Sequence, residues 1–149
     1  MNPKQKNALT KIFAVSGAIL LWAPILFMFL TAIVGSIMSG TLLFDYLMLA
    51  ELFPLVALGL VLLVLASLLA RTFRHRFGWG AVAALLALTG GQLFASASGL
   101  ASGEAEPVGA VFAVVISSII VYNVIIVALA VLAVFLVKRL FQKRPDVAD

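Results

Sequence analysis

Four long runs of apolar residues constrain this sequence more than any other feature. They cover residues 12–38, 51–70, 79–100 and 108–137 of the 149-residue chain. A helix needs about 20 apolar residues to cross a hydrocarbon core of about 30 Å. Each run is long enough, and because lipid offers an open backbone no hydrogen-bond partner, each is expected to be helical. The sequence therefore predicts an all-α polytopic membrane protein, a single domain over residues 1–149 with four transmembrane helices in an up-down bundle.

Composition supports a lipid environment and excludes several kinds of chemistry. The chain is 64% hydrophobic and 11% charged, whereas a soluble domain is about half apolar and a quarter charged. It has no cysteine and one histidine, so disulfides and thiolate metal sites are impossible. No paired carboxylates fall inside the predicted spans, and no phosphate-binding loop motif occurs. We therefore expect no cofactor and no enzymatic activity.

The positive charges predict the orientation. All ten Lys and Arg residues fall before the first run, between the second and third, or after the fourth. With four spans, those three places lie on one side of the membrane, and the positive-inside rule makes that side cytoplasmic. Both termini are therefore expected to be cytoplasmic. The expected location is a cell membrane, of the prokaryotic inner or plasma type.

Basic residues next to the spans are also expected to attract anionic lipid head groups, each contributing about 1 kcal/mol near the surface. The predicted head-group residues are Arg71, Arg74, Arg76, Lys138 and Arg139. A short basic cluster beside a span is first a topology signal, so no nucleic-acid partner is expected.

The third run contains a regularly spaced series of small residues. Every fourth position is Ala or Gly, at Ala83, Ala87, Gly91, Ala95, Gly99 and Gly103. Small residues let helix backbones approach closely in lipid, so the spacing predicts a helix-packing face. The alternatives are a loop or re-entrant segment, or a chance spacing.

A partner for this face is predicted on the fourth run, where the same spacing occurs at Gly109, Ala113 and Ser117. A short connection makes the third and fourth helices antiparallel neighbours. The alternative partner is another subunit, with the small-residue face forming an oligomer seam.

Three polar residues are candidates for an intramembrane role. Gln92 lies about 20 Å along its helix from Trp79, and Asn123 lies about 22 Å from Lys138, so the two amides are at similar predicted depth. Their amides are expected between helices, either as an interhelical hydrogen bond worth about 1 kcal/mol or as part of a transport path. Glu51 lies at the predicted outer interface, where it is solvated beside a helix N-terminus, part of a cation or proton site, or a docking point for a basic partner.

Three functions are open at this stage. The first is a structural, accessory or assembly subunit that acts through helix packing, as a homo-oligomer or with a larger membrane protein. The second is a small transporter or channel that uses Glu51, Gln92 and Asn123. The third, a membrane enzyme or cofactor carrier, has the least support.

Overall fold

The chain folds as an all-α protein in the computed structural model, which describes residues 3–39, 52–100, 102 and 109–142. Its described part forms four helices: α1 (Pro3–Ser39), α2 (Phe53–Ala70), α3 (Arg74–Ala97) and α4 (Gly109–Gln142). All four are long and apolar enough to cross a membrane. The molecule is therefore a multi-pass membrane protein.

Two of the helices, α1 and α4, extend well beyond the apolar runs that predicted them. α1 begins at Pro3, well before the apolar run at residue 12, and α4 continues past residue 137 to Gln142. A helix satisfies its backbone hydrogen bonds internally, so it continues through polar residues at the membrane surface. α3 ends at Ala97, where the Ser98 N–H donates to the Phe94 carbonyl and Gly99 adopts a φ of 74°.

α2 and α3 are joined by three residues. Arg71 (φ 52°) and Phe73 (φ 56°) both occupy the left-handed region, which side chains other than Gly seldom adopt. The Arg71 N–H donates to the Leu68 carbonyl (3.2 Å), and the Thr72 N–H donates to the Ser67 carbonyl (3.1 Å). These two bonds are the Schellman pattern that closes a helix C-terminus. The turn holds Phe73 at the start of α3.

α1 and α2 make the closest backbone contact that the glycines of the described chain reveal. A Cβ added at Gly17 would lie 3.0 Å from the Gly59 carbonyl oxygen and 2.9 Å from Leu63 Cγ. A Cβ added at Gly59 would lie 3.2 Å from the Gly17 carbonyl oxygen. Only residues without a side chain let two helix backbones approach this closely. The sequence-based prediction placed no packing face at these two glycines.

α3 and α4 pack in opposite directions along the chain. Gly80 of α3 faces Leu129 of α4, where an added Cβ would lie 2.6 Å from Leu129 Cδ2. Eleven residues further along α3, Gly91 faces Ser118, which is eleven residues earlier on α4. The two helices are therefore antiparallel neighbours.

α1 and α4 are joined by a hydrogen bond between a side chain and a backbone. The Trp22 Nε1–H donates to the Ala130 carbonyl oxygen at 3.2 Å. Near one end of the pair, Lys11 Nζ lies 4.9 Å from the ring centroid of Phe141. The core is apolar and formed mainly by α1, α2 and α4; its largest buried side chains are Phe77, Leu21, Ile25, Leu63, Ile126, Leu136 and Val56.

Candidate functional site

The small residues of α3 do not form one buried face. Gly91 is buried, Ala87, Ala95 and Gly99 are half-buried, and Ala83 is exposed. Successive helical residues are about 100° apart, so a step of four residues drifts by about 40° and the series winds around the helix. Gly103 lies outside the described residues.

The packing face of α3 follows a spacing nearer to three and a half residues. Its members are Phe77, Gly80, Ala84, Ala87 and Gly91. Steps of three and four alternate in this series, which keeps it on one side of the helix. Gly80 and Ala84 were visible in the sequence as small residues of this face. The prediction followed the regular four-residue spacing instead, and that series does not include them.

On α4, the predicted partner residues Gly109, Ala113 and Ser117 are exposed. Gly91 instead meets Ser118, whose Cβ would lie 3.0 Å from a Cβ added at Gly91. α3 therefore contacts α4 one residue away from the predicted face. The prediction counted residues from the connecting loop, and the loop length does not determine how each helix is rotated about its axis.

The predicted pair of amides does not form. Gln92 is exposed and has no side-chain hydrogen bond in the part of the chain described. Its neighbour Gly91 faces α4, so Gln92 points about 100° away from that contact. Asn123 Nδ2 donates to the Ile119 carbonyl of its own helix at 2.9 Å, and Asn123 Oδ1 is buried without a partner. Glu51 lies outside the described residues.

Most hydroxyls of the spans are satisfied within their own helices. Thr89 Oγ1 donates to the Leu85 carbonyl, and Ser117 Oγ donates to the Ala113 carbonyl, each at 2.7 Å. Such bonds to a carbonyl three or four residues earlier allow Ser and Thr to face lipid. Gln92 has no such bond, so it is exposed with both its donor and its acceptor unused.

An apolar groove separates α2 from α3. Its volume is about 340 Å³, and it is lined by Phe53, Ala57, Leu60, Val61, Val64, Leu65, Ala81, Val82, Ala84, Leu85 and Tyr122. Tyr122 is 3% exposed, and its hydroxyl is buried without a hydrogen-bond partner. The sequence-based prediction missed Tyr122; a tyrosine in the middle of an apolar run was the available signal.

A polar edge on α3 continues from this groove. Thr89, Gln92 and Ser96 are all exposed and lie within about 60° of one another around the helix. Leu85, which lines the α2–α3 groove, is on the same side of α3. The groove and the polar edge therefore form one continuous surface.

The three basic segments of the chain meet at one end of the helices. Lys11 of α1 lies over Phe141 of α4, and Arg139 of α4 lies over Phe73 at the α2–α3 turn. Arg76 lies over the same Phe73 ring. Of the predicted head-group residues, the structure brings together Arg76, Lys138 and Arg139 around one cavity. Arg71 and Arg74 are exposed and do not line it.

Within the described ranges, no group of three or more His, Cys, Asp and Glu side chains lies close enough to hold a metal ion.

No protein-family model matches the chain, and neither a curated protein nor a solved structure shows detectable similarity to it.

Proposed function

We propose that this protein is an accessory or assembly subunit of the membrane, which binds another membrane-spanning chain along the α2–α3 groove and the polar edge of α3. The partner is a second copy of the chain or a larger membrane protein. The single observation that carries the proposal is the exposed, unpartnered carboxamide of Gln92 within a membrane-spanning helix. Lipid offers that group neither a donor nor an acceptor.

The burial of α3 supports the same conclusion. α3 has a mean hydropathy of 1.5, whereas the other three helices reach 2.3, 2.7 and 3.0. Only Phe77, Ala84 and Gly91 of α3 are buried. In a monomer surrounded by lipid, the most exposed helix would be expected to be the most apolar, because lipid is its solvent. A protein partner that covers α3 explains why the most exposed of the four helices is the least apolar.

The groove supplies the shape for such a partner. Its walls are apolar, and it lies beside the polar edge of α3. A transmembrane helix with apolar side chains against the groove and a small or polar side chain against Gln92 matches both surfaces.

The remaining features of the proposal concern topology. The four helices form an up-down bundle with both termini on the cytoplasmic side, because all basic residues lie on the three segments that meet at one end. The membrane is a prokaryotic inner or plasma membrane. The protein carries out no reaction of its own.

The test is the dependence of association on Gln92. An interhelical hydrogen bond contributes about 1–2 kcal/mol, so Gln92→Leu is expected to weaken association about 5-fold to 30-fold in lipid nanodiscs. Ala97→Leu is the control, because Ala97 is also exposed and points about 140° away from Gln92. Mass photometry and identification of the bound chain give the readout. A monomer with no bound chain, in wild type as in Gln92→Leu, overturns the proposal.

A second function, a small transporter, is favoured by one observation. Two consecutive residues at the middle of α4, Tyr122 and Asn123, carry buried polar atoms without partners. Unsatisfied polar groups at membrane depth are typical of solute paths. Solute uptake into proteoliposomes that Asn123→Leu abolishes would establish this function. Gln92, on the outside of α3, takes no part in such a path.

A further inference from the structure

A cavity at the basic end of the helices combines positive charge with an apolar wall. Its volume is about 520 Å³, and it lies between the start of α3 and the last turns of α4. The residues that line it are Phe73, Arg76, Ala128, Val131, Leu132, Phe135, Lys138, Arg139 and Gln142. We refer to it as the basic cavity. It is separate from the α2–α3 groove, with which it shares no lining residue.

Two guanidinium groups of the basic cavity are held by one aromatic ring. The guanidinium carbon of Arg76 lies 5.6 Å from the Phe73 ring centroid, and that of Arg139 lies 5.3 Å from it. Both distances are within the range of cation–π attraction. Phe73 itself is fixed by the α2–α3 turn. The ring therefore gathers two like charges that would otherwise repel each other.

The lining of the basic cavity carries three positive charges, because Lys138 joins Arg76 and Arg139. Guanidinium groups bind phosphate oxygens through paired N–H donors, so an anion with phosphate-like geometry is the natural complement.

The apolar wall identifies the source of that anion. Ala128, Val131, Leu132 and Phe135 line the cavity along α4. From Arg139 to Ala128 the helix rises about 16 Å towards the middle of the membrane. A soluble phosphate has no apolar part that could contact this wall, whereas an acyl chain attached to the phosphate packs along it. The cavity therefore offers positive charge to a phosphate at the membrane surface and an apolar wall to an acyl chain deeper in the membrane.

We propose that the basic cavity is a binding site for one anionic phospholipid of the leaflet at the basic end. Its phosphate lies between Arg76 and Arg139, near Lys138, and one acyl chain follows the α4 wall. General attraction of basic residues to anionic lipid does not distinguish among the five predicted head-group residues. The cavity selects three of them and leaves Arg71 and Arg74 outside. The site does not depend on a partner at the α2–α3 groove.

The experiment measures lipid binding to the protein purified in dodecyl maltoside. Dioleoyl-phosphatidylglycerol and dioleoyl-phosphatidylcholine are titrated separately, and native mass spectrometry counts the bound lipids. Inorganic phosphate and glycerophosphoglycerol, which lacks acyl chains, form the soluble arms. We expect one phosphatidylglycerol to bind at least about tenfold more tightly than phosphatidylcholine, the factor typical of a charge-assisted bond. Either soluble anion binding as tightly as the lipid overturns the assignment to a phospholipid.

Charge-matched variants locate the site. Arg76→Gln and Arg139→Gln are each expected to lower phosphatidylglycerol affinity about tenfold, whereas Arg74→Gln, outside the cavity, changes it by less than about twofold. Ala128→Phe fills the apolar wall and lowers lipid affinity without removing a charge. Circular dichroism verifies that each variant is folded. Equal losses for Arg74→Gln and Arg139→Gln indicate diffuse attraction and overturn the proposal.

The chain's own C-terminal acids provide the remaining alternative occupant. Asp146 and Asp149 follow the end of α4 by a few residues. If Asp146→Asn combined with Asp149→Asn raises phosphatidylglycerol affinity about tenfold or more, the tail occupies the cavity and the proposal is wrong. Unchanged affinity supports the lipid as the occupant.

Discussion

Individual glycines show how closely the helices approach one another. Gly17 lies against the Gly59 backbone, Gly91 lies against Ser118, and Gly90 has no atom within 4 Å of its would-be Cβ. The sequence marks all of these positions equally as glycine. Only the rotation of each helix about its axis separates those in contact from those facing outward, and no local sequence rule determines that rotation.

We predict opposite effects for alanine at two of these glycines. Gly17→Ala places a methyl group 3.0 Å from the Gly59 carbonyl oxygen, so α1 and α2 must separate, at a cost of about 1–3 kcal/mol. Gly90→Ala has open space and is expected to be neutral or to stabilise the helix by about 0.5–1 kcal/mol. Reversible unfolding in mixed micelles measures both. Equal destabilisation by the two substitutions would be inconsistent with the described α1–α2 contact.

At the scale of the helices, sequence and structure agree on number and type but differ on packing. The apolar runs were sufficient to predict four spanning helices, because lipid leaves an apolar chain few other conformations. The helix-packing faces were predicted on α3 and α4 at a four-residue spacing. The structure places the closest backbone contact that its glycines reveal between α1 and α2, and it gives α3 a face through Gly80 and Ala84. Phe73 became a candidate only from its three-dimensional surroundings, whereas Tyr122 was already visible in the sequence as a tyrosine within an apolar run.

The bond between α1 and α4 provides a prediction at this scale. Trp22→Phe keeps an aromatic ring but loses the hydrogen bond to the Ala130 carbonyl. A bond of this kind contributes about 0.5–1.5 kcal/mol, so the free energy of unfolding is expected to fall by that amount. Trp79→Phe is the control, since Trp79 is 74% exposed. An equal effect of the two substitutions would show that the α1–α4 bond adds nothing.

The register of α3 against α4 can be tested with cysteines, since the chain has none of its own. Cβ atoms at residues 91 and 118 are 3.0 Å apart, and a disulfide needs about 3.5–4.5 Å. We expect Gly91→Cys combined with Ser118→Cys to form an intramolecular disulfide after a small adjustment. Gly90→Cys combined with Ser118→Cys, rotated by about 100°, is expected not to. Oxidation in membranes followed by non-reducing electrophoresis gives the result, and the reverse pattern would refute the described register.

For the whole molecule, we propose that the distribution of positive charge sets the orientation in the membrane. Because every Lys and Arg lies in the three segments predicted to be cytoplasmic, a cysteine at His75 should react with an impermeant thiol reagent only after the cells are opened. A cysteine at Gly103 should react in intact cells. Labelling of His75→Cys, but not of Gly103→Cys, in intact cells would reverse the proposed topology.

The proposed function makes α3 the helix through which the molecule binds another chain. Its polar edge faces away from α4, next to the α2–α3 groove. The same helix exposes other residues on its opposite side, which the proposal leaves to lipid. Crosslinking to another chain is therefore expected on the polar-edge side and not on the opposite side.

The most direct measurement is a single-cysteine crosslinking scan along α3 in native membranes. The polar-edge positions are Thr89, Gln92 and Ser96, and the exposed positions on the other side are Ala83, Gly90 and Ala97. A short bifunctional thiol–amine or thiol–thiol reagent should join the first set to a second chain, of its own kind or of a partner, and leave the second set unreacted. Crosslinks at neither set, or equally at both, would contradict the proposal that the α2–α3 groove and the polar edge of α3 bind another membrane chain.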